Sequence, residues 1–517
     1  MFSKAPSLKE FLNLVRGSYE LAARHAFKEP EMILDQPILQ RMQQMFPEKM
    51  RFTKSPIAKN TVDFKRPWPQ PSLMHPDRDA PTVLTFPDDE STEFAAKILY
   101  RYAKQICVDW IDAAQDTLAN PKLDVVSNED FSSYFKNTVY ANFLNPVLDK
   151  KDVEIFGSIM TPDKEYLKVD FSPIEFLQNL EGQYSTPTIS LYSKNKSEIQ
   201  CEAIFINGLL VKPENKNAWQ LAKYFVLQNG SISLTILAHP RVHFPMDTIN
   251  AVTKALLPEG HLIYEILKPH MWLTLPLNRR VQWSEHSIVS NRQDLCYTPF
   301  PSTGVSNYFF KSISFCGIKG NSSYPEYVYP YKFNKTDTAF NQRLKAYYDV
   351  IYDFTVKVCK NIPQDSNIKL WASHISQLIK GFPNEDLIFK KDNLARALAF
   401  YIFDVSVMHA AEHFSFSSIP VRKASMRLRV PPPANLEIAA IDLKKLATPI
   451  DIFRQLMAHR MFFKPNNLTL LKDTSYDLPP ALQMYVKEFK DSLRRVDDHI
   501  RSEHFIPLKE ISASIQY

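Results

Sequence analysis

Glycine is scarce in this chain: only 10 of its 517 residues are glycine, and no two of them are spaced as Gly-x-Gly. The dinucleotide-binding fingerprint and the phosphate-binding P-loop both need closely spaced glycines, so both kinds of site are excluded. The five cysteines are scattered, odd in number and never spaced as Cys-x-x-Cys. This usage argues against a zinc ribbon and favours free thiols in a reducing compartment.

The sequence pattern predicts neither a secretory signal peptide nor a membrane-spanning helix. Residues 1–27 mix charges throughout and contain no uninterrupted apolar core of a secretory signal peptide. No charge-free apolar run reaches the length of about 18 residues that a membrane-spanning helix needs. We therefore expect a cytoplasmic protein, or one secreted by a route without a cleaved signal peptide.

Composition and charge describe a globular protein with room for an extensive core. Hydrophobic residues make up 45% of the chain and charged residues 23%, with a net charge of +6. This mild positive excess is spread along the sequence, which favours attraction to anionic surfaces or fatty carboxylates over nucleic-acid binding. A solvated basic surface explains it equally well, so no nucleic-acid partner is expected.

Two histidine pairs stand out in strongly apolar stretches. His239 and His243 are four residues apart, and so are His409 and His413. Residues at this spacing project from one face of a helix, and chance predicts only about 0.3 such pairs among 13 histidines. Two facing pairs would form a four-nitrogen metal site. The alternative is two pairs of core histidines, each hydrogen-bonded to a carbonyl group.

Further motifs surround these pairs in a fixed order. They are Trp219-Gln-Leu-Ala222-Lys223, Leu257-Pro258-Glu-Gly-His261, Pro269-His270 followed by Thr274-Leu275-Pro-Leu-Asn278, His409-Ala410-Ala411-Glu412-His413, and Arg429-Val-Pro431-Pro432-Pro433. Lys223, at the end of the first motif, lies sixteen residues before His239. In this order and near these spacings, roughly residues 130–517 resemble the catalytic domain of lipoxygenases. The resemblance implies a mainly α-helical catalytic domain with a small β subdomain.

The division of the chain follows from this resemblance and from local patterns. We expect a helical and proline-rich extension at residues 1–90, with an amphipathic helix at 8–27, and the catalytic domain at 91–517. Many lipoxygenases carry an N-terminal β-barrel, for which the extension leaves little room. Residues 92–117 predict a helix, 188–192 and 201–206 predict two strands joined by a charged turn, and helices should dominate from Asn217 onward. The 285–335 stretch predicts a long loop.

The resemblance also implies a metal-ligand set. His239, His243, His409, His413 and the α-carboxylate of Tyr517 would hold one non-haem iron ion per chain. Manganese is an alternative, because the His-x3-His spacing is similar to that of fungal manganese lipoxygenases and lets an ordinary helix present both imidazoles. Two prolines beside His243 predict that this helix is kinked or ends just after it. A frayed C-terminus is the alternative for Tyr517.

The implied reaction is dioxygenation of polyunsaturated fatty acids to hydroperoxides, with no catalytic residue beyond the metal centre. Arg280 would meet the substrate carboxylate. Val281 stands where the family carries Ala or Gly to govern oxygen attack. Phe244 and Leu277 would line the apolar channel, or simply belong to the core. His261 and His270 match family positions outside the ligand set and are interpreted as structural.

Two other functions stay open at this point. The same metal site could isomerise fatty-acid hydroperoxides, which a restricted oxygen path at Val281 would favour. The chain could instead be a lipid-binding or interaction protein that keeps the fold without catalysing a reaction. Peripheral membrane contact through the amphipathic N-terminal helix is a further alternative. Metal content distinguishes the non-catalytic protein from the two enzymes, and oxygen consumption distinguishes the enzymes from each other.

Overall fold

The computed structural model describes residues 109–146, 148–176, 179–196, 198–275, 277–278, 336–379, 381–462 and 468–515, with Phe333 and two two-residue strands near the N-terminus. The predictions for the helix at residues 8–27, for most of the 1–90 extension and for most of the 285–335 loop therefore lie outside the described residues. So do Arg280, Val281 and Tyr517, and the side chain of Phe244.

Helices dominate the described chain, as the sequence predicts. They lie at Asp109–Ala119, Asn128–Asn137, Lys150–Phe156, Lys216–Ser233, Pro240–Leu256, Leu262–Leu267, Ala339–Cys359, Ser366–Leu378, Asn393–Phe403, His409–Ser418, Leu443–Leu446, Pro449–Phe462 and Gln483–Ile500. Several begin at a side chain that accepts a hydrogen bond from a free backbone amide, as Ser127, Thr338 and Asp365 do. The helix predicted over 92–117 is described from Asp109 and ends at Ala119.

The β structure is small and antiparallel. Strands β1 (Gln70–Pro71) and β2 (Asp79–Ala80) form a short pair, and β3 (Glu165–Asp170), β4 (Thr188–Asn195), β5 (Glu198–Ile206) and β6 (Leu209–Val211) form one sheet in that order. The predicted hairpin corresponds to β4 and β5 and is confirmed. Four successive residues of β3 are buried, so this strand lacks the alternation that reveals a half-exposed strand.

Two long helices carry the histidine pairs through the core. The first histidine helix (residues 216–256) contains a π-helical turn at Leu234–Ala238, and the second histidine helix (residues 393–418) contains one at Asp404–Met408. Each π turn ends directly before the first histidine of its pair. The His239 amide donates to the Leu234 carbonyl oxygen, five residues earlier, at 2.8 Å. The segment from His239 to His243 is itself α-helical, so an ordinary helix does present both imidazoles, but the π turn before them was not predicted.

Pro240 supplies a physical reason for the π turn of the first histidine helix. Proline has no amide hydrogen, and its ring clashes with the carbonyl four residues earlier in a regular helix. A wider turn ahead of Pro240 relieves that clash. The helix then continues to Leu256, so of the two predicted alternatives, a kink or an end just after His243, the end is wrong and the kink stays a prediction. The second histidine helix contains no proline, so this explanation applies to the first alone.

The second histidine helix is long and apolar enough, over Asn393–Phe416, to cross a membrane by length and composition alone. However, 94% of its most apolar window is buried inside the protein. Apolar length of this kind is also what a central core helix needs. In the described part of the chain, this segment is therefore a core helix.

A short 3₁₀ turn at Val139–Phe143, the bridging turn, joins the two histidine helices. The Val139 amide donates to the Ser415 hydroxyl on the second histidine helix at 3.1 Å. The Tyr140 hydroxyl lies 2.6 Å from the Ser231 hydroxyl on the first. Because both contacts are buried, they fix the spacing of the two helices, close to the π turns.

Gly230 on the first histidine helix makes room for this bridging turn. A Cβ atom at this position would lie 2.9 Å from two atoms of the Tyr140 ring. Gly230→Ala should therefore lower the free energy of unfolding by about 1–3 kcal/mol, as overpacking does. Urea denaturation measures the change. In a Tyr140→Leu background the same substitution should cost much less, and an equal cost in both backgrounds would contradict this explanation.

Candidate metal centre

The four predicted histidines converge on one point. One ring nitrogen from each lies within 4.8 Å of the others. His239 Nε2 is 2.9 Å from His243 Nε2 and 3.0 Å from His413 Nε2, and His409 Nε2 is 3.2 Å from His243 Nε2. His243 and His409 are buried, while His239 and His413 are partly exposed. The two histidine helices therefore bring both pairs to a single site.

The outer nitrogens of the first pair show which ring atoms carry hydrogen. His239 Nδ1 lies 2.8 Å from Glu412 Oε2, and His243 Nδ1 lies 2.7 Å from Asn278 Oδ1. The Asn278 amide group donates to Asp247 Oδ1 at 2.7 Å, so its oxygen is the atom that faces His243. A carboxylate oxygen and an amide oxygen accept, so Nδ1 donates in both rings. In neutral imidazoles this leaves a lone pair on each Nε2.

Two facing lone pairs about 3 Å apart would repel each other with no cation between them. Ring nitrogens bound to one transition metal at about 2.1 Å and at right angles would be about 3.0 Å apart. The observed separations of 2.9–3.2 Å match that arrangement. Imidazole is a ligand that suits iron, copper, nickel and zinc. The residues present therefore fit a bound transition-metal ion.

Burial keeps these imidazoles in the form that binds metal. It lowers the pKa of His239 to about 3. Burial, followed by the neighbouring imidazoles, also lowers the pKa of His409 well below the usual range, and burial together with His239 does the same for the pKa of His243. Since the charged form is penalised in a buried site, these rings are neutral at pH 7. A metal ion can bind them without first displacing a proton from Nε2.

Two buried carboxyl groups lie near the second pair. Glu412 is fully buried and accepts from His239, while Asp404 begins the π turn. Burial, and then the charge of Glu412, raise the pKa of Asp404 well above its usual range. The neutral form of Asp404 is therefore favoured, while Glu412 Oε2 faces the Nδ1 hydrogen of His239.

The last described residues form a buried tail (residues 511–515) that contacts the segment before Asn278. His270 Nδ1 donates to the Ala513 carbonyl at 2.6 Å and Thr274 donates to the Ile515 carbonyl at 3.3 Å. Thr274 lies four residues before Asn278, the partner of His243. Tyr517 is two residues beyond the described tail, so its predicted role as a ligand stays a prediction.

The other predicted site residues have different outcomes. Leu277 is buried beside Asn278 in sequence, which suits either a channel wall or the core. The structural interpretation of His261 and His270 agrees with their contacts, because His261 meets Asp365 and His270 lies between Tyr476 and the tail. Roles for Phe244, Arg280 and Val281 stay predictions.

Sequence reasoning missed the two partners of the first histidine pair. Glu412 stands out in retrospect as one of two acidic residues, with Asp404, inside an otherwise largely apolar helical run. Asn278 ends one of the motifs that carry the lipoxygenase resemblance, but nothing local says that it faces His243. Each partner orients one histidine ring and fixes its tautomer. The predicted set of ligands did not include this role.

Asn278 offers a direct test of this orientation. Asn278→Ala removes the acceptor for His243 Nδ1, so the ring loses its fixed tautomer. Loss of such an outer partner typically weakens metal affinity by about 10- to 100-fold. Isothermal titration with manganese(II) measures the change, and Asn361→Ala on an exposed surface is the matched control. An unchanged affinity in Asn278→Ala would contradict the orienting role.

Comparisons with known proteins were made on the sequence and on the fold. No family model matches the chain, and no curated protein matches it in sequence. Its fold is similar to that of a lipoxygenase variant solved anaerobically with arachidonate, with a TM-score of 0.63 and 14% identity over 99% of this chain and 82% of that one. It is also similar to the manganese lipoxygenase of Gaeumannomyces graminis, with a TM-score of 0.62 and 13% identity over 80% of this chain and 90% of that one.

A third similar structure is a calcium-dependent 11R-lipoxygenase, with a TM-score of 0.59 and 14% identity. The match covers 80% of this chain and 66% of that longer protein, just under two thirds of its length. At such low identity the similarity establishes the architecture alone. The chain has the mainly α-helical fold of lipoxygenase catalytic domains, with a small antiparallel sheet.

Proposed function

We propose that this protein is a lipoxygenase-type dioxygenase that converts polyunsaturated fatty acids to hydroperoxides. One observation carries the proposal: four imidazole Nε2 atoms, at least two of them with lone pairs fixed by outer hydrogen bonds, converge inside a buried site of the lipoxygenase fold. A structural zinc site would explain the nitrogens but not the fold similarity to iron and manganese enzymes. An ordinary buried histidine cluster would not align lone pairs against each other.

The proposed cofactor is one iron ion per chain, with manganese as the alternative. Such an ion would supply the one-electron chemistry that removes hydrogen from a bis-allylic carbon. His239, His243, His409 and His413 would hold it as neutral donors. The α-carboxylate of Tyr517 is the proposed fifth donor, because a terminal carboxylate is ionised at neutral pH and the buried tail reaches Thr274, one turn before the partner of His243.

The proposed substrates are a polyunsaturated fatty acid and dioxygen. The arachidonate bound to one similar protein supports the class of substrate, and the apolar surroundings of the site suit a long acyl chain. We assign the substrate carboxylate to Arg280 and the channel wall to Phe244 and Leu277. Val281 would set how oxygen reaches the acyl chain.

Hydroperoxide isomerisation is the second candidate function. Its support is Val281, whose side chain is larger than the Ala or Gly that lipoxygenases carry at the matching position. A bulkier residue there would restrict oxygen access while leaving the metal site intact. In that case the enzyme would rearrange a fatty-acid hydroperoxide and consume no oxygen.

Oxygen uptake together with conjugated-diene absorbance tests the proposal. The metal-loaded protein is given linoleate or arachidonate, and His409→Ala is the inactive control. Uptake with diene formation that disappears in the variant is the expected result. A metal-loaded protein that takes up no oxygen contradicts dioxygenation, and turnover of fatty-acid hydroperoxides by that protein would then establish the isomerase. Neither activity from a loaded protein would indicate a non-catalytic lipid-binding role.

A further inference from the structure

We propose that Glu412 is a positioning residue that makes His239 a stronger donor than His243 and thereby favours the oxidised state of the bound metal. The inference rests on the proposed metal site, and it goes beyond the ligand set to the residue that tunes that set. The residue lies between His409 and His413 in sequence, yet its side chain contacts a ring on the other helix.

The geometry makes Glu412 a link between the two histidine pairs. Its Oε2 atom lies 2.8 Å from His239 Nδ1, and the two residues are 173 positions apart in the chain. The Glu412 side chain is fully buried, and that of His239 is only 16% exposed. A buried hydrogen bond between the helices holds the ring of His239 in place before any metal binds.

The outer partners of the first pair differ in charge. His243 donates to the neutral amide oxygen of Asn278, whereas His239 donates to a carboxylate. A hydrogen bond to an ionised acceptor is roughly twice as strong as one between neutral groups. It pulls the Nδ1 hydrogen toward the acceptor, which moves electron density through the ring to Nε2. His239 is therefore a better donor than His243, although both are neutral imidazoles.

The position of His239 brings the negative charge of Glu412 close to the proposed metal. The Nε2 atom of His239 lies 2.9 Å from that of His243 and 3.0 Å from that of His413, so it is adjacent to two of the other three nitrogens. A buried negative charge one ring away from the metal stabilises a trivalent ion more than a divalent one, because the attraction grows with the charge of the ion. Glu412 should therefore lower the reduction potential of the bound metal and tighten its binding.

Two substitutions separate the charge of Glu412 from its hydrogen bond. Glu412→Gln keeps an acceptor for His239 Nδ1 and removes the charge, whereas Glu412→Leu removes both. Manganese(II) affinity is measured by the loss of the free-ion EPR signal, and the reduction potential is measured on iron-loaded protein by spectroelectrochemical titration. We expect both variants to have a higher reduction potential, and Glu412→Leu to lose about 10- to 100-fold in affinity, with a smaller loss in Glu412→Gln.

Asp451→Asn is the matched control, because it neutralises another fully buried carboxylate that accepts from Arg429 rather than from an imidazole. It should lower the melting temperature and leave the reduction potential unchanged. A reduction potential that is the same in wild type and Glu412→Gln would overturn the inference, even if stability falls.

The outcomes also separate this inference from the proposed function. A wild-type protein that binds neither manganese nor iron would overturn both. A wild-type protein that binds metal with the predicted Glu412 dependence but takes up no oxygen would support the inference and contradict only dioxygenation.

Discussion

His243→Ala is expected to abolish metal binding and, with it, any oxygen uptake. His243 is buried, and its Nε2 atom is the neighbour of both His239 and His409 within the cluster. Removing it leaves a gap in the donor set that no nearby described side chain is placed to fill. Loss of an outer partner already costs about 10- to 100-fold in affinity, so loss of a ligand should cost more than 100-fold. Metal content after dialysis and manganese(II) titration measure the effect.

The control for this prediction is His261, a histidine outside the proposed ligand set. His261 caps a helix and contacts Asp365 at 3.3 Å, so His261→Ala removes an imidazole without touching the proposed ligands. It should retain full metal content. Comparable metal loss in both variants would show that unfolding, not ligation, explains the result. Normal metal content in His243→Ala would show that the four nitrogens are not the binding site.

The second large effect is expected when metal-free protein is acidified. Burial lowers the pKa of His270 to about 4, although its hydrogen bond to Ala513 acts in the opposite direction, and burial lowers the pKa of His239 to about 3. In the unfolded chain a histidine has a pKa of about 6.5. Between these values the unfolded state binds more protons than the folded state, so the free energy of unfolding falls as the pH falls.

The stability that these histidines contribute is fully present above about pH 6.5 and is lost progressively below it. Each buried histidine should reduce stability by about 1.4 kcal/mol per pH unit, which for His270 amounts to about 3 kcal/mol by pH 4. Urea unfolding at several pH values between about 7.5 and 4.5 measures this slope. In His270→Gln the slope of the free energy of unfolding against pH should decrease by about 1.4 kcal/mol per pH unit, which corresponds to one proton. A free energy of unfolding that does not change over this range would contradict the buried, neutral state of these rings.

The histidine cluster could be predicted from the sequence because it depends on local spacing. Two histidines four residues apart share a helical face wherever the helix lies, and the apolar residues around them place that face inside the protein. The β4–β5 hairpin was predictable for a similar reason, since alternation along each strand is a local pattern. The fully buried strand β3 carries no such alternation and was missed.

The outer partners of the histidines could not be predicted in the same way. The hydrogen bond between Glu412 and His239 joins two helices that are far apart in sequence, and nothing near Glu412 specifies which ring it meets. The π turns were missed as well, although Pro240 gives a local reason for the first. These features depend on how the helices pack and on the bridging turn that holds them at a fixed distance, which are tertiary properties.

Anomalous diffraction from crystals of the manganese- or iron-loaded protein tests the central claim most directly. We predict one anomalous peak per chain, about 2.1 Å from the Nε2 atoms of His239, His243, His409 and His413. The same map would show whether the carboxylate of Tyr517 completes the ligand set. A loaded protein whose metal lies elsewhere, or a cluster that stays empty at saturating metal, would contradict the assignment of these four histidines as a metal centre.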